Sequence, residues 1–550
     1  MSEAVGFVRY KKSSSKLGAL TFCGSSLDEL TKWVEALPYG QVELLADKLV
    51  SALREINQLS LSPAKRLAFL GVLRDQVHAA EERLQHNLAT DVMMGAHRRA
   101  ITQKLAIALQ YYLANEFSIC FVESCSNAGL FKAQKMVRHA LHRAVCEKLH
   151  LYKLMCSLSI IVPKNFWREF NGYFGFAEKK EWLEQKGDFS DHDGLQDDAL
   201  TLCQLFLKGL LLDSARTNRL PQDQIAFLSA VGPFWCDNIL LADEANQQGL
   251  FFWNCAEDFG LKVADESSHL SGHVKSVSFE PLQKLLSSGD CDFLQQEPGV
   301  LLSNADFLLL KKHLLCMWSA PVMRVENRDK IHLSVESVFG LSAIHRLLHH
   351  DASDGQGGEG DVKPYSCETI NVSSHGVCLS LCGSYPPMLS NGALVGMLVE
   401  GAPTWRLGMV RWLKNQEDGA LFGVESIGLA VYGVQVKVSR DGESYCASVA
   451  SLLVPTTESH DMMRLLLPRL NYKVGDLVLV ECVGREVSGV LEQMFMGGNT
   501  FQQFQLRLSE SAQADSDWLS GLASCEDLPD IEFCNADGVP SQQVDAERGL

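Results

Sequence analysis

The spacing of apolar residues divides the chain into a helical half and a strand-rich half. Leu30, Trp33, Val34 and Leu37 fall on one face at helical spacing, behind a Ser26-x-x-Glu29 capping box. Pro38-Tyr39-Gly40 breaks that helix, and Val42, Leu45, Leu49, Leu53 and Ile56 begin a second. Ser62 followed by Pro63 supplies an N-cap and a proline at the first helical position, opening a third helix that runs to about Leu88. Further helical patterns lie at about 97–115, 127–160, 196–212 and 222–230. Helix-turn-helix units of this kind fit a tetratricopeptide-like array or an irregular bundle, and no clean repeat of about 34 residues runs through them.

After Trp318 the period shortens to two. Alternating β-rich runs lie at 331–338, 376–381, 394–399, 405–413 and 420–427, and again at 434–438, 445–453, 476–483, 486–493 and 501–508. Asp441-Gly442 and Gly497-Gly498-Asn499 carry hairpin-turn chemistry. Two groups of five strands predict two small antiparallel β-barrels in series. An apolar helical patch at 339–348 and a glycine-rich loop at 351–361 interrupt the first group. The expected organisation is therefore multidomain α + β: a flexible N-terminus (1–25), an all-helical domain with room for two sub-bundles (26–316), a first barrel (317–430), a second barrel (431–510) and a disordered acidic tail (511–550).

Composition narrows the function. The 550 residues are 46% hydrophobic and 21% charged, which excludes a wholly disordered or fibrous chain. Asp and Glu outnumber Lys and Arg by 67 to 49, a net charge of −18 that repels polyanions and argues against general nucleic-acid binding. The tail holds nine of the acidic residues against one basic residue. The longest charge-free stretch, 369–399, is rich in Ser, Gly, Asn and Pro, so no membrane insertion is expected. The N-terminus lacks the apolar core of a signal peptide. Seventeen cysteines, odd in number and without a C-x-x-C pair, read as reduced thiols in a cytoplasmic protein.

Catalytic signatures are missing. The sequence has no nucleophile elbow, H-E-x-x-H, Walker loop or dinucleotide fingerprint, and the 351–361 loop lacks the order of a phosphate loop. No catalytic residue, no cofactor and no metal site are expected. Asp191-His192-Asp193 reads as a solvated acidic turn, and His345, His349 and His350 as one side of a helix beside Arg346.

The informative residues open the strand-rich half. Arg324-Val-Glu-Asn-Arg328 is an R-x-x-x-R pair just before a strand, and Asn371-Val-Ser373-Ser-His-Gly376 is an N-x-S-x-x-G turn. Trp405-Arg-Leu-Gly408-Met-Val-Arg-Trp412 and Leu421-Phe-Gly423-Val424 follow as later strands. In this order, from Arg324 to Ile427, the segment resembles the PilZ domain, the bacterial receptor module for cyclic di-GMP.

That resemblance implies a ligand and a site: cyclic di-GMP, held by Arg324, Arg328, Asn371, Ser373 and Gly376. A guanidinium fork can grip a phosphate or the O6 and N7 edge of guanine through paired hydrogen bonds, and can also stack on the purine. Asn371 and Ser373 offer short polar groups to guanine edges, and Gly376 admits close backbone approach. Trp405 and Trp412 are expected in the barrel core or rim. The interval from Arg328 to Asn371 is longer than usual for the family; if its glycine-rich loop lies over the barrel face, it gates the site. The second barrel has neither motif and is assigned no ligand.

The resemblance also implies a non-enzymatic cytoplasmic effector of motility or biofilm control. The ligand would order the arginine arm, hinged at 317–321, and so affect an unidentified protein partner bound by the helical region or the acidic tail. The alternative is a ligand-independent scaffold with a degenerate PilZ domain.

Overall fold

The computed structural model describes residues 7–8, 12–13, 17–90, 94, 96–126, 131–187, 196–243, 251–263, 273–288, 302–319, 330–350, 362–373, 376–383, 386, 388–416, 419–439, 446–455, 462–470, 472–482, 485–497 and 500–509. The chain forms two units. One comprises Met1–Met323 with the short returns Ser384–Pro387 and Trp412–Gly419; the other holds the rest. Asp191, His192 and Asp193, the 351–361 loop and the 511–550 tail lie outside the described residues.

The helical unit starts as its pattern predicts. Ser26 caps α1 (Leu27–Glu35): its hydroxyl accepts from Glu29 N at 3.3 Å, and Glu29 accepts from Ser26 N at 3.1 Å. Helices α2 (Val42–Gln58), α3 (Pro63–Thr90), α4 (Ala96–Ser126) and α5 (Phe131–Ser157) pack side by side. Residues 97–126 of α4 are long and apolar enough to cross a membrane, yet 67% of the most apolar window is buried among its neighbours. It is the central helix of a packed core that includes Leu109, Leu113, Phe117 and Phe121. Helices α6 (Phe166–Lys179), α7 (Leu202–Ser214) and α8 (Gln222–Trp235) complete the bundle.

The structure adds a small antiparallel sheet to this region, which the sequence reading took as helical throughout. Strands β1 (Leu240–Asp243), β2 (Phe251–Asn254), β3 (Leu261–Val263) and β4 (Val274–Ser278) lie in the order β1-β4-β2-β3. Each is too short to show a period. Their anchor is Trp253, fully buried against Phe174 and Phe206, with its indole N–H donating to Asn171 at 2.8 Å. Helices α9 (Glu280–Ser288) and α10 (Asn304–Ser319) follow, and Met317 and Trp318 are buried residues of α10.

Buried charges tie a short 3-10 turn, Gln196–Ala199, to three helices. Arg74 of α3 donates to Asp198 at 2.8 and 3.0 Å and to Glu147 of α5 at 2.5 Å, while Lys208 of α7 reaches Asp197 at 2.5 Å. Burial alone would raise the Glu147 carboxyl, but Arg74 and His78 outweigh it and hold the group well below the usual range. Such a network is unforgiving, because removing one partner strands a charge in the interior at a cost of about 3–5 kcal/mol.

In the second unit, β5 (Ser334–Phe339), β6 (Tyr365–Ser373), β7 (Gly376–Cys382), β8 (Leu394–Val399), β9 (Arg406–Gln416) and β10 (Gly419–Gly428) close a barrel in the order β10-β7-β6-β5-β8-β9. A second closed barrel runs β11-β12-β13-β16-β15-β14, built from β11 (Tyr432–Ser439), β12 (Val449–Pro455), β13 (Met462–Pro468), β14 (Leu477–Cys482), β15 (Arg485–Gly497) and β16 (Phe501–Leu508). Two barrels in series are as expected, but each has six strands where five were read. The missed strands are β6, whose alternation is broken by an extra residue, and β13, a near-continuous apolar run without alternation.

The helical patch between β5 and β6 is α11 (Leu341–His350), entered through Gly340 at φ +89°, a conformation that disfavours any side chain. It packs against β5 and β8 of the first barrel and β11 and β12 of the second. Ile344, fully buried, sits in one cluster with Val338, Leu394 and Leu407 on one side and Leu452, Leu466 and Phe501 on the other. One helix thus gives the barrels a shared core.

The buried histidines of the helical unit set its response to acid. Burial lowers the affinity of His142, His150 and His313 for a proton. Below about pH 6.5 the unfolded chain takes up these protons and the folded chain resists, so their contribution to stability is lost as pH falls. Glu81, Glu116 and Asp213, raised by burial, act with the opposite sign, so a difference measurement isolates the histidines. We expect the thermal midpoint of wild type to drop more than that of His142→Gln between about pH 7.5 and about pH 5.5. Parallel curves for the two proteins would refute the assignment.

Candidate functional site

Three of the expected site residues, Asn371, Ser373 and Gly376, lie at the end of the β6–β7 hairpin, and their geometry follows from one inserted residue. Opposite β7, Thr369 pairs with Leu379 and Asn371 with Cys378, so Ile370 is an extra residue in β6. On the near side of this bulge Cys367 and Thr369 face the barrel interior, and Ser366 and Glu368 are exposed. Past it Val372 points inward, which leaves Asn371 and Ser373 on the outer face, both half-buried. A strand of unbroken period two would have sent Asn371 and Ser373 into the core.

The hairpin end is tightly built. Ser373 pairs with Gly376 across it, and the Ser373 hydroxyl donates to the Gly376 carbonyl at 3.3 Å. A Cβ on Gly376 would stand 2.4 Å from the Val424 carbonyl oxygen and 3.5 Å from the Glu425 Cα, both in β10. The barrel's own closure therefore calls for a glycine here, a requirement compatible with the close backbone approach that the sequence reading assigned to it. On the surface beside it, Glu425 accepts a hydrogen bond from the Arg411 guanidinium of β9.

Thr369, which sequence reasoning missed, holds the segment that leads into β5. Its backbone N–H donates to Leu333 O at 3.0 Å, its hydroxyl accepts from Leu333 N at 2.8 Å, and the same hydroxyl donates to Ile331 O at 2.5 Å. A regular antiparallel pair would exchange two backbone bonds. Here the hydroxyl takes the place of the Thr369 carbonyl. The available signal was the phase slip in Cys367-Glu-Thr-Ile-Asn-Val, where an isoleucine falls on the outward phase and an asparagine on the inward one.

Arg324 and Arg328 lie outside the described residues. Upstream of the clasped segment Lys330 is exposed, as is His332 within it. Exposed Glu336 of β5 and Glu368 of β6 lie on the same outer face but further from the hairpin end, so the local field there is mixed. Trp405 is partly buried against the cluster around α11, in keeping with a core role. His345, on α11 itself, is buried. Among the described residues no group of three or more His, Cys, Asp or Glu side chains could hold a metal ion.

Two regions of the chain match models of a single known protein. Residues 28–245 match the N-terminal domain of the cyclic-di-GMP receptor FimW, and residues 346–430 match its middle PilZ domain. Asn371, Ser373 and Gly376 fall inside the second match, and the arginine pair precedes it. The chain is also 23% identical over 579 residues to the cyclic-di-GMP receptor FimW of Pseudomonas aeruginosa, covering 90% of this chain and 93% of that protein.

The close approach at Gly376 carries a test that needs no ligand. Because the atom in the way is backbone and cannot rotate aside, Gly376→Ala is expected to cost about 1–3 kcal/mol in urea unfolding. Unaltered stability would show that β7 and β10 are not so close at this point.

Proposed function

We propose that this chain, a member of the PilZ-domain family, is a non-enzymatic cyclic di-GMP effector that binds its ligand on the outer face of the first barrel. The reading assigns Asn371 and Ser373 to the guanine edges, and Arg324 and Arg328 to the phosphates and the guanine face. Two phosphodiester charges and two purines suit guanidinium groups, which can form paired hydrogen bonds and stack at once. The ligand is the one named for the FimW receptor that the chain resembles along most of its length.

The observation that carries the reading is the direction of the clasped segment. Residues 331–333 run antiparallel to β6, so the chain upstream of Ile331 heads toward the hairpin end where Asn371 and Ser373 share the outer face. Arg328 is three residues from Ile331, a reach of at most about 11 Å of backbone, to which a long side chain is added. That reach is compatible with the assignment of Arg328 to the turn.

Binding would then be felt beyond the first barrel. The segment that bears the arginines leads into β5, β5 leads through Gly340 into α11, and α11 shares its core with the second barrel. In this reading the effector works in the cytoplasm and passes the signal to a protein partner through the helical region. A coupling of about 1–3 kcal/mol between ligand and partner is typical of such devices. The thirteen cysteines among the described residues are all free, which suits a reducing compartment.

Calorimetric titration of the full chain with cyclic di-GMP is the direct measurement. Wild type should bind, Arg328→Ala should bind about tenfold to a hundredfold more weakly, and Asn371→Ala several-fold more weakly, each with unaltered thermal stability. Heat no greater than the buffer blank for wild type would leave the ligand-independent scaffold as the better reading. Full affinity in Arg328→Ala would reject the assigned site.

A further inference from the structure

We infer that one end of the second barrel, formed by the β13–β14 connection and the last residues of β15, is a docking surface for an anionic lipid bilayer. The inference stands apart from the ligand proposed above and gives a role to the barrel that carries neither binding motif.

The ladders bring this surface together. Pro468, the last residue of β13, pairs with Phe501, the first of β16, and Arg469 N donates to Thr500 O at 3.1 Å. The chain then turns: Tyr472 N donates to Leu470 O at 3.0 Å, and Lys473 N to the Asp476 carboxylate at 2.9 Å. It next lies against β15, where Gly475 N donates to Leu491 O at 2.7 Å and Asp476 O accepts from Leu491 N at 3.0 Å. Strand β14 begins at Leu477, opposite Val490, so the rest of β15 runs on beyond it. Its register against β16 shifts twice there, between Leu491 and Gln493 and between Met494 and Met496.

Five large apolar side chains are exposed at this end: Leu470, Val474 and Leu477 on the turn and its exit, Met494 and Phe495 on the overhang. Leu470 and Val474 are 56% and 59% exposed, while Leu467, Val478 and Leu491 of the same barrel are fully buried. The barrel core is therefore filled without the exposed set, whose hydrophobicity adds little to folding. Exposed apolar groups gathered at one place and rimmed by polar residues mark a surface that meets a partner.

Charge selects that partner. Arg469, Lys473 and Arg507 are exposed around the apolar residues, and the Arg464 guanidinium lies 5.5 Å from the centre of the Phe495 ring. Among the described residues of 462–477 and 490–509 the only acids are Asp476 and Glu492. The first is buried and bonded to Lys473 N, and the second is paired with Arg507 at 2.5 Å. An anionic bilayer complements both parts at once: its hydrocarbon takes side chains that project from a turn and a strand end, and its phosphates meet the cations behind them. Attraction of basic groups to such a surface acts within about 8 Å at physiological ionic strength, so the acidic remainder of the chain is screened when this end makes contact. A contact of this kind needs no spanning segment.

The test is co-sedimentation of the full chain, without cyclic di-GMP, with vesicles of equal parts phosphatidylglycerol and phosphatidylethanolamine, and with vesicles of phosphatidylcholine alone. Wild type should bind the anionic vesicles at least about tenfold more tightly than the neutral ones, and lose most of that difference at about 0.5 M salt. Val474→Asp and Leu470→Asp should each weaken binding about tenfold, and Lys473→Gln several-fold, with unaltered thermal midpoints. Leu308 of α10, 60% exposed in the other unit, is the control, and Leu308→Asp should bind as wild type does. Wild type that stays in solution with anionic vesicles, equal binding to neutral ones, or a Leu308→Asp loss matching that of Val474→Asp would each overturn the inference. Self-association, or a complex with an acidic protein, that Val474→Asp abolishes while vesicles go unbound would assign the surface to that occupant and overturn it as well.

Discussion

A β-strand offers its side chains to alternate faces, and a single added residue exchanges those faces for everything that follows. The rest of the candidate site depends on that constraint in β6. The extra residue at Ile370 lets one strand fill the barrel interior with Cys367, Thr369 and Val372 and still present Asn371 and Ser373 to the outside. The hairpin end needs a glycine for a separate reason. Gly376 closes the hairpin where β7 runs against the β10 backbone, and the Val424 carbonyl occupies the space a side chain would need. Closure of the barrel and display of the polar edge thus meet at one hairpin end.

The helix between β5 and β6 gives that edge a mechanical context. An insertion at this position could have been a solvated loop. Instead α11 buries Leu341 and Ile344 in a cluster drawn from both barrels. Cores packed at crystalline density do not deform smoothly, so a change in β5 must be met by a change in the seat of α11 or be resisted by it. Because residues 331–333, clasped by Thr369, are continuous with β5, the clasp and the seat of α11 are joined through a few consecutive residues. The second barrel, which carries neither binding motif, thus acquires a reason to be joined to the first by more than a linker.

Much of this was legible in the sequence, and the exceptions have physical causes. The Ser26 capping box, the Pro63 helix start and the change of period after Trp318 are local signals, and the structure bears each of them out. Strand β6 was lost because its bulge breaks the alternation by which a strand is recognised, and β13 because an apolar run has no period to read. The sheet β1–β4 was lost for another reason: its strands are three to five residues long and exist because Trp253 docks on Phe174 and Phe206, which are far away in sequence. For the site, the motif residues were visible as letters, but Thr369 was not. A threonine in a strand is unremarkable in sequence, and only the register shows that its hydroxyl replaces a ladder bond.

The charge of the chain bears on the proposed site. A protein of net charge −18 would bind the proposed dianion against its own long-range field, and Glu336, Glu368 and Glu425 add carboxylates near the proposed site. At physiological ionic strength, fields are screened beyond about 8 Å, so repulsion at a distance is muted while contacts within a few ångströms keep their strength. Attraction in such a setting has to come from guanidinium groups delivered to the ligand at hydrogen-bond range. A loosely held arginine would spend much of its time beside the surrounding carboxylates, as Arg411 does beside Glu425. On the proposed reading, the acidic background would add to selectivity by penalising every polyanion that cannot accept paired hydrogen bonds from guanidinium groups.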